Sequence, residues 1–380
     1  MTSSYHLEDK NKNVPKLRFK VSDKSWQKKR LDKICEINPI NDKLPEEFYY
    51  IDLECVENGE ITRKLKRISK DIAPSRAQRL LKLNDMLYQT VRPYQKNNFL
   101  FDKDNDLPTV ASTGYAQIRS GKNNIKYIYQ MLHTDNFVIE TMKRSTGTGY
   151  PAISSSDLAE IEVYYPEIEE QKKISDFLSL IDKRIEKQRR FIELLKKYKR
   201  GLLTKIFRLK NNNWECEKLG ELCNITTGKL DANAMKPNGQ YRFYTCAKEF
   251  YFIDEFAFDT DALLVSGNGA NVGYIHHYNG KFNAYQRTYV LDKFKQNIIF
   301  VKYYLETFLH QRIESEKKAG NTPYIVLSTL SDLLIRFPTL DEQNKITAIL
   351  SEFDLIIQKQ ESLLEQSLLF KKGLLQQMFI

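Results

Sequence analysis

Long hydrophobic runs are missing from this 380-residue chain. No stretch approaches the ~20 apolar residues of a membrane-crossing helix, and Met1 to Asn13 are polar and mixed in charge rather than an export signal. The expectation is a soluble, cytoplasmic protein. Cysteine is sparse and unpatterned: Cys35, Cys55, Cys216, Cys223 and Cys246 are odd in number, and none lie in a C-x-x-C pair. That excludes the usual openings of a zinc site or a redox motif and fits free thiols in a reducing compartment. Catalytic signatures are also absent, with no G-x-x-x-x-G-K-[ST], no H-E-x-x-H and no Asn/Asp-Pro-Pro-aromatic run. No metal site and no catalytic set is expected.

Three stretches imitate chemistry without its full pattern. His276 and His277 are adjacent and point to opposite faces of a strand, which prevents easy chelation of one metal. Gly267-Asn-Gly269-Ala-Asn-Val-Gly273 follows the apolar run Leu263–Ser266 but lacks the Rossmann spacing, so a tight surface turn is expected. Glu316-Lys-Lys318 has the form of a nuclease carboxylate-lysine pair but no upstream Pro-Asp, and reads as a solvated helix face.

What is present is core material and positive charge. Hydrophobic residues make up 41%, with 22 Tyr and 21 Phe, enough to fill folded cores. The length suits about two domains plus connecting structure. The formal charge of +10 points to a polyanionic partner, nucleic acid first.

The second half restates the first. Trp26-x₄-Leu31-x₃-Cys35 recurs as Trp214-x₄-Leu219-x₃-Cys223, 188 residues on. Pro166-Glu-Ile-Glu-Glu-Gln171-Lys-Lys-Ile174 recurs as Pro338-Thr-Leu-Asp-Glu-Gln343-Asn-Lys-Ile346, 172 residues on, and this offset holds without a gap to Phe207/Phe379. Between these anchors the two copies differ in length and composition. Runs such as Phe48–Leu53, Met86–Val91, Ala262–Ser266 and Arg287–Leu291 predict strands, and 125–141 and 298–318 predict helices, making each variable segment mixed α/β.

The two late stretches lack proline and carry apolar positions at alternating spacings of three and four. The first seam is Ile174, Leu178, Ile181, Ile185, Gln188, Ile192, Leu195, Lys199, Leu202; the second is Ile346, Leu350, Phe353, Ile357, Gln360, Leu364, Ser367, Lys371, Leu374. This is a coiled-coil pattern, and about 41 residues at ~1.5 Å rise give a rod of about 60 Å. Either relative direction is sterically open, and a pseudo-two-fold between halves makes the pair antiparallel. Gln188 and Gln360 then either face each other as a register-fixing layer or lie exposed on a shifted seam. From Glu167 to Phe207 the net charge is +5, and from Thr339 to Ile380 it is −2, which favours pairing.

The tandem P-x-x-x-E-Q-x-x-I helix openings, the turns leading to Ser154 and Ser328, the paired Trp-x₄-Leu-x₃-Cys motifs and Val14-Pro-Lys-Leu-Arg-Phe19 resemble the specificity subunits of type I restriction-modification systems. The resemblance covers nearly the whole chain. It implies an α+β fold: an N-terminal arm (1–23), target-recognition domain 1 (24–165), a central spacer helix (166–208), target-recognition domain 2 (209–337) and a C-terminal spacer helix (338–380). It also implies double-stranded DNA as ligand, read as a two-part site whose gap the helices set. Two methyltransferase subunits and restriction/motor subunits are the implied partners. Those partners would carry S-adenosylmethionine, ATP and Mg, so this chain would be a non-catalytic recognition subunit.

For DNA reading the useful side chains are Arg and Lys for guanine and phosphate, Asn and Gln for adenine, and small polar loops. In the first head these are Arg92, Gln95, Lys96, Asn97, Asn98, Arg119, Lys122, Arg144, Thr146 and Thr148. In the second they are Lys229, Asn268, Asn271, Tyr285, Gln286, Arg287, Lys317, Lys318 and Asn321. Two other classes remain: a stand-alone sequence-specific DNA-binding regulator, which needs no enzyme partner, and a nuclease with a hidden metal site, which would cleave DNA alone.

Overall fold

A computed structural model describes residues 13–20, 24–41, 43–208, 213–316 and 324–380. The chain forms two compact units, residues 1–188 with 363–380, and residues 189–362. The two long helices, Ile168–Arg208 and Leu340–Met378, each contribute a segment to both units.

In the first unit a four-stranded sheet runs in the order Lys66–Ser69, Glu47–Ile51, Thr109–Ser112, Ala77–Leu80, with only the central pair parallel. A second, antiparallel sheet runs Cys35–Ile37, Tyr115–Ser120, Asp85–Gln89, Phe99–Phe101. The stretch predicted as one helix over 125–141 is two, Ile125–Leu132 and Asp135–Arg144. Thr134 ends the first and caps the second, its Oγ1 accepting from the Phe137 N–H, because a hydroxyl at this position satisfies an otherwise orphan donor.

The second unit is built on one six-stranded sheet in the order Asn224–Thr227, Thr288–Asp292, Phe258–Ser266, Ile275–Ala284, Tyr241–Tyr244, Tyr251–Ile253. Helix Ile298–Glu316 covers it, burying Phe300, Val301, Tyr303, Leu305, Leu309 and Ile313. Different sheets on matched anchors explain why the sequence repeat fades between the motifs.

Each repeated motif has a structural task. Strand Gln27–Arg30 pairs with Glu162–Tyr165, and Glu215–Lys218 with Leu334–Phe337. Leu31 and Leu219 are fully buried behind these ribbons, and the Cys35 and Cys223 thiols donate to their carbonyls at 3.2 and 3.4 Å. Burial pushes both thiols up to about 12, so neither is a nucleophile. Trp26 stacks edge-on against Tyr127 and Phe379, and Trp214 lies against Phe207 and Phe300. Each opening tryptophan therefore meets the end of the long helix from the other copy.

The conserved-spacing glutamines are clamps. Gln171 Oε1 accepts the Asn124 N–H (3.0 Å) and its Nε2 donates to the Pro166 carbonyl (2.9 Å). Gln343 does the same with the Asn297 N–H (3.1 Å) and the Pro338 carbonyl (2.9 Å). In both units the start of a long helix thereby satisfies the start of the helix lying on the sheet. The arm is held likewise: Arg18 grips the buried Glu170 through two nitrogens at 2.8 Å, the Leu17 N–H donates to the Gln377 carbonyl, and Phe19 packs on Phe177.

Within each unit the two long-helix segments run antiparallel. Lys371 meets Asp182 at 2.5 Å in the first; Lys199 meets Asp354 at 2.5 Å and Lys196 meets Glu361 at 2.6 Å in the second. Ile174, Leu178, Ile185, Ile192, Leu350, Ile357 and Leu374 are buried; Ile181, Leu195, Leu202, Ile346, Phe353 and Leu364 are half-buried. Gln188 and Gln360 are half-buried too.

Candidate nucleic-acid interface

In the first unit three segments converge where strand Asp85–Gln89 ends. Thr90 donates through its N–H to the Gly114 carbonyl (3.0 Å), and its own carbonyl accepts from the Ile153 N–H (3.0 Å). In the second unit Gly267 does the same at the end of strand Phe258–Ser266, donating to the Arg287 carbonyl and accepting from the Ile325 N–H, both at 2.8 Å. The bridges Val91 to Ala152 and Asn268 to Tyr324 extend the match by one residue.

The loops that follow are the same loop. Arg92 and Lys96 have φ of 55°, and the positions matching them, Gly269 and Gly273, have φ of 80° and 82°. The backbone requires a left-handed residue at both places. Glycine meets that requirement freely, whereas an L side chain costs roughly 1–2 kcal/mol. The glycine cluster at 267–273 is thus explained by turn geometry rather than by phosphate binding.

Around the first loop, Arg92 donates its N–H to the Pro151 carbonyl (2.7 Å), and its guanidinium lies 4.0 Å from the centre of the exposed Tyr150 ring. The Arg92 Nε is buried without a partner among the described residues. Thr146 and Ala152 exchange backbone hydrogen bonds at 2.9 Å, leaving Thr146 and Thr148 exposed on the neighbouring turn. Gln95 is exposed and accepts from Gln89. These residues form one surface.

Other candidates in this head are used internally. Lys96 Nζ binds the His133 carbonyl (2.8 Å) and Asp135 (2.7 Å). Asn97 accepts the Asn58 N–H, and Asn98 is buried, accepting the Gln89 N–H (2.8 Å) and contacting His133 Nε2 (3.3 Å). Arg119 is bidentate to the buried Asp85 at 2.7 Å, at the end of its strand pair away from Thr90 and Gly114. Lys122 is exposed beyond that same end, and Arg144 is exposed at the close of helix Asp135–Arg144.

In the second head the candidates assemble more completely. The Gln286 N–H binds the Leu230 carbonyl (2.9 Å), bringing Lys229 beside the Tyr285–Arg287 turn. Gln286 and Arg287 are exposed and line a shallow hollow with Thr227, Tyr289 and Tyr324. Asn268 lies on the bridge to Tyr324, and Asn271 Nδ2 donates to the Cys246 carbonyl (3.1 Å). Lys317, Lys318 and Asn321 lie outside the described residues. Glu316 is engaged by Arg312 and by the Thr329 hydroxyl.

Sequence reasoning missed Arg242. It lies on strand Tyr241–Tyr244 between the rings of Phe250 (4.3 Å) and Tyr278 (4.5 Å), and its signal was the aromatic density of 241–252. His276 contacts the Ala247 carbonyl and His277 contacts Asp261, each separately, and no cluster suited to a metal ion occurs among the described residues. No helix of the described residues is long and apolar enough to cross a membrane. Both surfaces offer cationic, amide and hydroxyl donors on fixed loops, a set suited to groove edges and phosphates.

The model for the type I restriction modification DNA specificity domain matches this chain twice, at residues 23–195 and 211–366. The specificity subunit of the type I restriction enzyme EcoDI from Escherichia coli is 39% identical over 150 residues, 40% of this chain and 32% of that one. The MjaIX specificity subunit from Methanocaldococcus jannaschii is 24% identical over 280 residues, 63% of this chain and 65% of that one. These alignments span less than two thirds of the relatives' own lengths. The crystal structure of a type I restriction-modification S subunit from M. genitalium superposes with a TM-score of 0.64 at 19% identity, covering 97% of this chain and 99% of that one. A chain from a structural study of complex assembly and conformational transition of the type I R-M system gives 0.55 at 22% identity, over 92% and 96%.

Proposed function

Because the chain belongs to the family of type I restriction-modification specificity subunits, we propose that each of its heads reads one half of a two-part DNA site while the paired long helices set the gap between halves. The loop platform built twice, at Thr90–Lys96 and Gly267–Gly273, carries the reading: one backbone presents different side chains in the two heads, as two different half-sites require. Phosphate contacts from the basic surface supply salt-sensitive affinity, and the loop side chains supply selectivity.

The chemistry belongs to partners. Two methyltransferase subunits dock on this chain with S-adenosylmethionine, and restriction/motor subunits bring ATP and Mg. The thiols at positions 35 and 223 are buried and protonated, in keeping with a recognition role.

The test is co-expression of this chain with its methyltransferase partner, followed by mapping of methylated adenines across the host DNA. A single two-part motif with a fixed gap that vanishes when this chain is deleted is the expected result. Methylation that is unchanged by the deletion, with no complex formed, would sink the proposal and favour a stand-alone DNA-binding regulator.

A further inference from the structure

Most described arginines with a fixed partner are held by a carboxylate: Arg18 by Glu170, Arg30 by Asp32, Arg63 by Glu54, Arg119 by Asp85 and Arg312 by Glu316. Two are held by aromatic rings instead, one in each unit. Arg92 lies over Tyr150; Arg242 lies between Phe250 and Tyr278, with Nη1 donating to the Tyr244 hydroxyl at 3.4 Å. Neither forms an ion pair among the described residues.

An aromatic face orients a guanidinium without consuming the in-plane N–H donors that a carboxylate would take. With Arg92 Nε buried and one Arg242 Nη1 hydrogen given to Tyr244, the remaining terminal N–H groups of each fork are positioned and have no partner among the described residues. One fork stands on its platform, and the other lies on a strand whose continuation is bonded to the second platform. Arg92 stands on the first loop itself, at the left-handed position that the second head fills with Gly269, so a strained side chain is kept where glycine serves elsewhere. Arg242 shares its strand with Tyr244, whose carbonyl accepts the Tyr285 N–H (2.9 Å), and Cys246 two residues on accepts from Asn271.

A fixed, open guanidinium fork matches the O6 and N7 acceptors of guanine in the major groove, the commonest specific contact of arginine with DNA. We infer that Arg92 and Arg242 are the guanine-reading side chains of the two heads, each specifying one G·C pair in its half-site. The assignment rests on the DNA-specificity reading above. Tyr150, Phe250 and Tyr278 act as positioning residues that hold the forks in plane.

The test uses the full chain with its methyltransferase partner. Arg92→Lys and Arg242→Lys each keep the charge and remove the fork. Each substitution relaxes the methylated motif at one G·C pair, with discrimination there falling by about tenfold or more. Only the half-site of the altered head changes. In parallel, the unaltered complex is titrated with duplexes carrying 7-deazaguanine, which lacks N7, at each guanine of the motif in turn. One position per half-site weakens binding by about tenfold, a result that needs no variant to fold. A half-site with no specified G·C pair overturns the assignment. So do substitutions that weaken methylation of all sequences alike, and a deaza scan without effect. Failure of the unaltered chain to yield any two-part motif strikes the specificity reading itself, so the two failures are distinguishable.

Discussion

At the scale of single residues, His133 shows how far a candidate surface depends on what lies beneath it. It is buried, its Nδ1 meets the Tyr129 carbonyl at 2.6 Å, and it contacts Asn98 at the base of the first loop. Burial, aided by Lys371, pulls it from its ordinary 6.5 down to about 4. The folded unit therefore prefers the neutral ring, and the unfolded chain takes up the proton first as pH falls. Stability fully present above pH 6.5 is lost between 6.5 and about 4, by up to about 3 kcal/mol. His133→Gln should flatten that limb by close to one proton, measured by comparing urea midpoints of the two proteins across this range. Equal slopes would place the acid sensitivity in other groups. Residue type alone puts Asn98 among the DNA-reading side chains, because asparagine pairs with adenine; that it lies under the surface follows from backbone bonds between distant segments, which side-chain type does not encode.

At the scale of elements, the seam of the long helices was legible because a spacing of three and four survives without tertiary knowledge, and the fixed offset of 172 located both copies. The register was not. It follows from which charges meet, and the spacing that puts Lys199 and Lys371 in the seams gives neither a partner. Under the repeat, the Lys199–Asp354 and Lys371–Asp182 pairs exchange, and each aspartate is also bound from its own head, by Tyr303 (2.7 Å) or Gln130 (2.6 Å). Lys371→Asp should destabilise the first unit by about 1 kcal/mol or more, since it sets two carboxylates together in a half-buried place. Pairing it with Asp182→Lys should restore most of the loss in a double-mutant cycle. No recovery would mean that the pair is incidental to register. The break at Thr134 was equally hidden, since periodicity runs on through a cap that only the hydroxyl geometry reveals.

At the scale of the molecule, the family and its two-headed plan were readable from duplicated motifs, while the sheets were not, because two heads with different sheet orders share only their anchors. Those anchors are exchanged: Phe379 packs on Trp26 and Tyr127, and Phe207 packs on Trp214, Phe300 and Tyr304. Phe379→Ala should therefore weaken the first unit, and Phe207→Ala the second, by about 3–5 kcal/mol each. Amide exchange resolved by unit would check this, and a Phe379 variant that loosens residues 215–316 instead would contradict the exchange.

That exchange also dictates an order of events during synthesis. Every residue of the second unit has been made by position 362, but the core around Trp26 lacks its last aromatic until Phe379, 353 positions later, leaves the ribosome. At ~5–20 residues per second the first head waits on the order of tens of seconds for its closing helix turn. The firstborn half therefore cannot close until its last helix turn arrives, and it is the one that needs shelter while it waits.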